Sequence, residues 1–446
     1  MLRKGVYLTV EEFKGRRPVT RGGVTFGIDP GQLRNPRASL HLVVRTGGSR
    51  SPGTVVPLDL AYIRDTAVDR LLSLGAPERG RWRYACWGIP GSASMARILE
   101  YSLLTSVPVD WFSHVSPSAP GLHPRYRWSA RVMGWGGRLS RLRLPRPVLA
   151  SASDPSPIVR WIARVRADGD SPSLDAFVSS VVRLCQLASS EGLDWRGVRF
   201  WVHGEPLTAA RRDAIRRTGA ECRPRYGTVE AGRIGYACFA PVAPDEVHVT
   251  HDLSAVIQAG ADGGGPGLVP GALLVSSLRP SAPFLLLNVS LGDRAVLDSR
   301  SCGCPLEGLG WTAHLHTIRS FEKLTAGGMT FLDADVIRVL EEVLPARFGG
   351  GPTDYQLVED EGEDGRPRVR LLVRPDVGPV DADALAGAFL AAVAAGSGVE
   401  RVMGILWKDA GMVRVERRPP YTTATGKILH VHSDGRRPRA VEAGAR

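Results

Sequence analysis

The sequence predicts an α/β protein, with a large N-terminal domain of wound sheets and covering helices over residues 1–318 and a small α+β domain over residues 319–446. Three observations predict it. Strand-length apolar runs alternate with helix-length stretches through the first half of the chain, the pattern of a parallel sheet wound with helices. At 446 residues the chain is longer than one typical core supports. Beyond about residue 318 the composition becomes that of a compact α+β module.

Taken in order, residues Tyr7 to Gly22 are short, polar and Arg-rich, and Val24 to Ile28 reads as a strand. His41 to Val44 reads as a buried strand feeding a Gly/Ser loop, Thr46 to Thr54, and Leu58 to Leu74 as a helix. Such an order aims backbone N–H groups at phosphate. Tyr84 to Trp87 and Val107 to Phe112 read as strands around a helix, Ser92 to Leu104. The Pro-, Arg- and Trp-rich stretch Ser113 to Pro157 reads as a surface excursion, and Ile158 to Ala167 and Leu174 to Ser190 as helices. Val198 to Val202 reads as a strand, Leu207 to Thr218 as a helix, and Gly260 to Gly267, which holds Asp262, as a hairpin tip. In the smaller domain, Asp333 to Leu344 and Asp381 to Ala395 read as helices, and Arg368 to Val373 and Val399 to Leu406 as strands.

Hydrophobic residues make up 43% and charged residues 23%, ordinary for a globular protein. No apolar stretch is long enough to span a bilayer and Met1-Leu2-Arg3-Lys4 opens no signal peptide, so a cytoplasmic protein without a membrane partner is expected. The formal charge of +12 is carried almost wholly by arginines spread along the chain, as in a GC-rich coding sequence. Specific nucleic-acid binding is not expected from scattered charge. Lysine occurs only at positions 4, 14, 323, 408 and 427, which sets Lys427, in a Gly-containing turn, apart.

Chemistry concentrates in Tyr226-Gly227-Thr228-Val229-Glu230, after the strand and its sequel Gly204-Glu205-Pro206-Leu207. A ring can stack on a base, a hydroxyl can donate to a phosphate oxygen, and a carboxylate can hold magnesium. One loop would then touch three parts of a nucleotide. Asp293, after a glycine at a strand-turn, is placed to accept both hydroxyls of a ribose. Trp87, Trp111 and Phe112 fall near strand ends, where open α/β sheets bind ligands. Six cysteines, at 86, 185, 222, 238, 302 and 304, form no disulfide framework in such a protein. Cys302-Gly303-Cys304 lets two thiolates face one ion, with Cys238 and His248, or His251 as the competing histidine, completing a zinc set.

These motifs, with Leu291-Gly292-Asp293-Arg294 and Thr423-Ala424-Thr425-Gly426-Lys427-Ile428, resemble those of the adenylate-forming enzymes, and among them the phenylacetate-CoA ligase-like branch, from about Tyr7 to Val431. The resemblance implies that fold, and activation of a small aryl or arylacetic acid by Mg-ATP, with coenzyme A as acceptor. It implies ATP contacts from Thr46, Gly47, Ser49, Gly204, Glu205, Pro206, Tyr226, Gly227, Asp293 and Arg319. Glu230 would hold magnesium, Thr228 touch phosphate, and Lys427, on a mobile C-terminal domain, neutralise the charge built up in displacement. Trp87, Trp111 and Phe112 would wall the acyl pocket, and Cys238, His248, Cys302 and Cys304 hold a structural zinc. A homodimer is among the expected assemblies. The sequence departs from the family in five places. The lead-in before Tyr7 is short, implying a shortened N-terminus. The lysine slot of the Gly/Ser loop is Thr54. Val229 stands where Thr or Ser precedes the glutamate. Leu287-Asn288 replaces an arginine-tyrosine pair, and the hinge-like Thr317 to Glu322 has Ile318 and Phe321 where a glycine and an acid are usual. Two other readings accommodate these changes: transfer of the adenylate to an amine or hydroxyl, and a degenerate member that binds nucleotide without turnover.

Overall fold

The computed structural model describes residues 1–45, 54–74, 81–88, 91–106, 108–115, 145–151, 154–261, 263–321, 325–326, 329–330, 334–361, 367–395, 413–423 and 426–433. It divides into two compact units. One comprises Met1–Thr46, Gly53–Glu322 and Thr422–Ile428; the other comprises Gly47–Pro52, Lys323–Tyr421 and Leu429–Arg446.

The first unit is built on a twelve-stranded sheet whose two halves differ in direction. Val148–Leu149, Asp110–Ser113, Trp82–Gly88, Ser171–Phe177, Arg199–His203 and Glu221–Thr228 lie side by side in parallel. From Glu221–Thr228 onward the pairing is antiparallel, through Gly232–Ala237, Val247–Val249, Ala313–Ser320, Val289–Ser299, Ala272–Ser277 and Ser254–Gln258. The strand that carries the Tyr-Gly-Thr motif is therefore the seam between the halves.

Helices cover both faces of the parallel half. Leu60–Ser73 and Ser92–Ser102 pack against one another and lie over one face. Ser156–Ala167, Val178–Ser190 and Ala209–Arg216 lie over the other, where Trp87, Phe112, Leu174, Ala176, Phe200 and Val202 form an apolar core with Ile162, Val181 and Ile215. Local signals start the helices: Asp59 caps Leu60–Ser73 by accepting from Ala61 N–H, and Thr208 caps Ala209–Arg216 by accepting from Arg211 N–H.

Ser171–Phe177 corrects the reading of Leu174 to Ser190 as one helix, because its first part is a central strand. The strand runs straight into the helix at Val178, with no Gly, Pro or Asn to mark the change, and it is buried on both faces, with Leu174 and Ala176 on the apolar side and Asp175 on the other.

The second unit holds a four-stranded sheet in the order Val413–Arg417, Pro367–Val373, Tyr355–Glu361, Val431–Ser433. Ala382–Ala394 and the turns around Val339–Val343 pack on it through Leu340, Leu385 and Phe389. The expected helix from Asp333 to Leu344 widens into a π-type turn over Val339–Val343, followed by Leu344–Phe348. The strand expected at Val399 to Leu406, and Asp262, lie outside the described residues, as does most of the Ser113 to Pro157 excursion. Among the described residues no helix is long and apolar enough to cross a membrane.

Candidate functional site

The parallel strands end together, with Phe177 opposite His203 and Pro224 opposite Val202. Gly204 and Tyr226 thus leave adjacent strands at the C-terminal edge, the edge at which such sheets take ligands. Gly204 has φ +79°, and a Cβ there would lie 2.9 Å from Lys427 Nζ and 3.0 Å from the Phe177 ring. The glycine thus leaves the space that the lysine fills. Lys427 Nζ stands 4.9 Å from the Phe177 ring centroid, a cation over an aromatic face.

The backbone around Lys427 is pinned. Thr423 N–H donates to Lys427 O at 2.8 Å, and Lys427 N–H donates to Thr423 Oγ1 at 3.1 Å. Ile428 N–H donates to Ser179 Oγ at 3.1 Å, and that hydroxyl donates to Glu205 at 2.9 Å. Glu205 also accepts Ser179 N–H, at the first turn of Val178–Ser190, so its carboxylate caps that helix. Pro206 O accepts from Arg211 at 3.4 Å.

At the seam, Tyr226 O–H donates to Asp293 Oδ2 at 3.0 Å. Burial, reinforced by the Asp293 charge, holds the phenol well above its usual range, so Tyr226 stays a donor. Asp293 lies within Val289–Ser299, opposite Ser320 and just after Gly292 at φ +95°, rather than at a turn. Gly227 marks a register shift, and a Cβ there would lie in Gly232 O. Thr228 Oγ1 accepts Ala231 N–H at 3.0 Å, closing a turn over Val229 and Glu230. The motif is therefore not extended past Thr228. Val229 packs into the apolar core of the antiparallel half, and Glu230 is buried.

The three aromatic residues expected to share a wall do not. Trp87 and Phe112, cross-strand partners, face the apolar core, where Trp87 Nε1 donates to Ala150 O. Trp111, one residue from Phe112, points to the opposite face beside Tyr84, Cys86 and Tyr101. Arg319 lies inside the strand Ala313–Ser320 and pairs with Asp245 at 3.0 Å, where Asp245 also accepts Thr317 N–H and Ile318 N–H. That makes Arg319 part of a strand-end clamp in this unit. Thr46, Gly47 and Ser49, with residues 48 and 50–53, Glu322, Ala424 and Thr425, lie outside the described residues.

Cys238, His248, Cys302 and Cys304 present four ligand atoms all within 4.8 Å of one another. Tetrahedral zinc with sulfur at about 2.3 Å needs ligand atoms about 3.8 Å apart, so the set fits the ion. His248 Nδ1 donates to Trp311 O at 2.6 Å, which leaves the Nε2 lone pair toward Cys304 Sγ at 3.1 Å and Cys302 Sγ at 3.6 Å. Glu307 ties the Cys-Gly-Cys turn by accepting Cys302 N–H and Gly303 N–H. His251, the competing histidine, is exposed.

A second polar assembly escaped the sequence reading. Asp175, wholly buried, accepts from Arg225 at 2.7 Å, His203 at 3.1 Å, Arg70 at 3.1 Å, Arg97 at 3.3 Å and Tyr101 O–H at 3.0 Å. The one local hint was position: His203 immediately precedes Gly204, and Arg225 immediately precedes Tyr226.

No protein-family profile matches the sequence, and no curated protein matches it. In three dimensions the chain is similar to crystal structures of a 2-hydroxyisobutyryl-CoA ligase in the postadenylation state. The complex with 2-HIB-AMP aligns at TM-score 0.54 and 15% identity, over 96% of this chain and 82% of that one. The complex with R3-HIB-AMP aligns at TM-score 0.52 and 15% identity, over 88% of this chain and 74% of that one. The fold is that of the adenylate-forming enzymes. At this identity the likeness is one of fold, with the large mixed sheet followed by the small sheet domain.

Proposed function

We propose that this protein activates a carboxylic acid with Mg-ATP, forming an acyl-adenylate and pyrophosphate, and hands the acyl group to coenzyme A. The observation that carries the reading is the close approach of Lys427 Nζ to the space kept by Gly204, at the C-terminal edge of the parallel strands. An ammonium held there can neutralise charge that builds on the α-phosphate during displacement. Asp293 would hold the ribose hydroxyls, with Tyr226 orienting its carboxylate and presenting a ring to the base. Glu230 would hold magnesium. Thr228, whose oxygen accepts Ala231 N–H, keeps its proton to donate to phosphate. Thr46, Gly47 and Ser49 would complete the phosphate cradle, with Gly204, Glu205, Pro206, Gly227 and Arg319 shaping its floor. Thr422–Ile428 groups with the larger unit, and in this reading Lys427 reaches the site from a mobile C-terminal domain, 319–446.

Within the adenylate-forming enzymes we place the chain with the phenylacetate-CoA ligase-like branch, because the Cys/His set falls at the positions that the resemblance implies. Zinc there would act structurally, tying the turn at Cys302 to the strands at Cys238 and His248. The aryl preference loses its support in Trp87, Trp111 and Phe112, whose side chains are committed to opposite faces of the sheet.

Pyrophosphate release measured over a panel of carboxylic acids, with and without coenzyme A, tests the reading. Acid-dependent release with thioester formation is expected, and Lys427→Ala should lower adenylation by about 100-fold or more, the loss typical of removing one transition-state charge partner. Undiminished adenylation by that variant would overturn the role given to Lys427. For the metal, elemental analysis should give one zinc per chain, and a chelator should lower the melting temperature; metal-free protein with an unchanged melting temperature would refute it.

A further inference from the structure

The face of the parallel strands beneath Leu60–Ser73 and Ser92–Ser102 holds more cationic charge than its own carboxylates balance. Among the described residues Arg70, Arg97, Arg225 and Arg233 gather around Asp175 and Glu100, four cations against two anions. Arg70 and Asp175 are fully buried, and Arg225, Arg97 and Glu100 are each less than a tenth exposed. His203 adds no further cation. Burial, together with Arg225 and Arg97, holds its pKa well below the usual range, so it is neutral. Burial and then the neighbouring Arg233 push the Arg225 guanidinium down, against the raising pull of Asp175.

The hydrogen bonding is incomplete in the same sense. Among the described residues Arg225 Nε and Nη1 and Arg70 Nη1 are buried donors without a hydrogen-bond acceptor, and so is Trp201 Nε1 on the same face, whereas Arg70 Nε faces Glu100 Oε1 at 3.6 Å. Aromatic rings line Arg70 on several sides, with Tyr101 at 4.2 Å and Trp201 at 5.0 Å, but rings supply no counter-charge. Arg97 Nη1 lies 2.5 Å from His203 Nε2, the atom that also faces Asp175 Oδ1 at 3.1 Å. One nitrogen cannot accept from arginine and donate to aspartate at once, so Arg97, which donates to Asp175 Oδ1 at 3.3 Å, and His203 compete for the same carboxylate oxygen. Leaving buried guanidinium unpaired is costly, and its planar fork is matched to carboxylate.

The cluster borders the edge where activation is proposed. His203 and Arg225 stand one residue before Gly204 and Tyr226, and the Phe177 ring spans the interval, 4.9 Å from Lys427 Nζ on one side and 5.0 Å from the His203 ring on the other. We propose that Arg97 and Arg225 receive a second carboxylate on the acyl substrate, so that the acid activated at Lys427 is a dicarboxylic acid. This rests on the adenylation reading, and it names the substrate class of that same site. Arg97 and Arg225 act here as specificity residues, with the reacting carboxyl at the other end of the acid.

The test is ATP–pyrophosphate exchange by the full chain on aliphatic and aromatic diacids paired with their monomethyl esters, with melting temperatures recorded in parallel. The diacid of at least one pair should exceed its ester in kcat/KM by about 100-fold, the discrimination that a site built around a polar group makes against an analogue lacking it. Arg97→Gln should raise KM for that diacid at least tenfold with kcat little changed and leave the ester's rate intact, while Arg97→Lys restores part of the loss. Equal or better use of every ester would overturn the dicarboxylate proposal and leave adenylation standing. If no acid is activated, the adenylation reading fails, and binding decides the proposal: a rise in melting temperature with a diacid, absent with its ester and in Arg97→Gln, supports the anion site, whereas no rise overturns it.

Discussion

The two faces of the parallel strands are one residue apart in sequence and opposite in chemistry. Ala85, Leu174, Ala176, Phe200 and Val202 point to a core of aliphatic and aromatic side chains under three helices. Their neighbours Cys86, Asp175, Trp201 and His203 point to a face where Arg70 and Arg97 enter from the covering helices. The first face is what folding needs, since area removed from water stabilises without regard to partner. The second costs desolvation that the hydrophobic effect would not choose, and replacing such ion clusters by apolar groups is often neutral for stability. The contrast is the one that the dicarboxylate proposal would account for.

Removing the anchor of the charged face should have the largest effect. Asp175→Ala leaves buried arginines facing each other, and unfolding by denaturant should show a loss of about 4 kcal/mol, in the range for a broken buried pair. A change below about 1 kcal/mol would mean that Asp175 does not hold the cluster together. On the apolar face, Leu174→Ala should cost about 3 kcal/mol through lost transfer energy and the cavity left behind, read by the same titration with an unchanged slope. An equal or larger loss than for Asp175→Ala would reverse the ranking of the faces.

The smallest effect is set by pH. His114, whose ring lies 4.6 Å from Trp87, has a pKa lowered to about 4 by burial and then by Arg97. Below its unfolded pKa near 6.5 the unfolded chain binds the proton first, so its contribution is fully present above that value and is lost as pH falls toward 4. Stability should drop by about 2–3 kcal/mol between pH 7 and 4.5 from this residue. His203, also held neutral, adds a loss of the same sign. Denaturation midpoints across this range should fall less steeply in His114→Leu, and an identical fall would remove His114 as the source.

Much of this was legible in the sequence. The order of most strands and helices follows from apolar periodicity, which is local, although the helices read from Leu58 and Leu207 start two residues later, after the caps Asp59 and Thr208. The motif residues Tyr226 and Asp293, 67 positions apart, were singled out separately and meet through one hydrogen bond. The Cys302-Gly303-Cys304 spacing likewise announced a set that the fold closes with Cys238 and His248. The aromatic wall was misread because alternation along a strand sends Trp111 and Phe112 to opposite faces, and only the covering layers decide which face becomes a core.

The sequence by itself determined most of the elements, though not the central strand Ser171–Phe177, and the rarity that drew attention to Lys427. Tertiary structure alone decided that Gly204 makes room for that lysine and that Arg70 and Asp175, 105 residues apart, share one buried network. The reason is range: capping, turns and periodicity act over a few residues and leave a local trace. A charge buried between a strand and a distant helix has its partner fixed only when the sheet forms and its helices close over it.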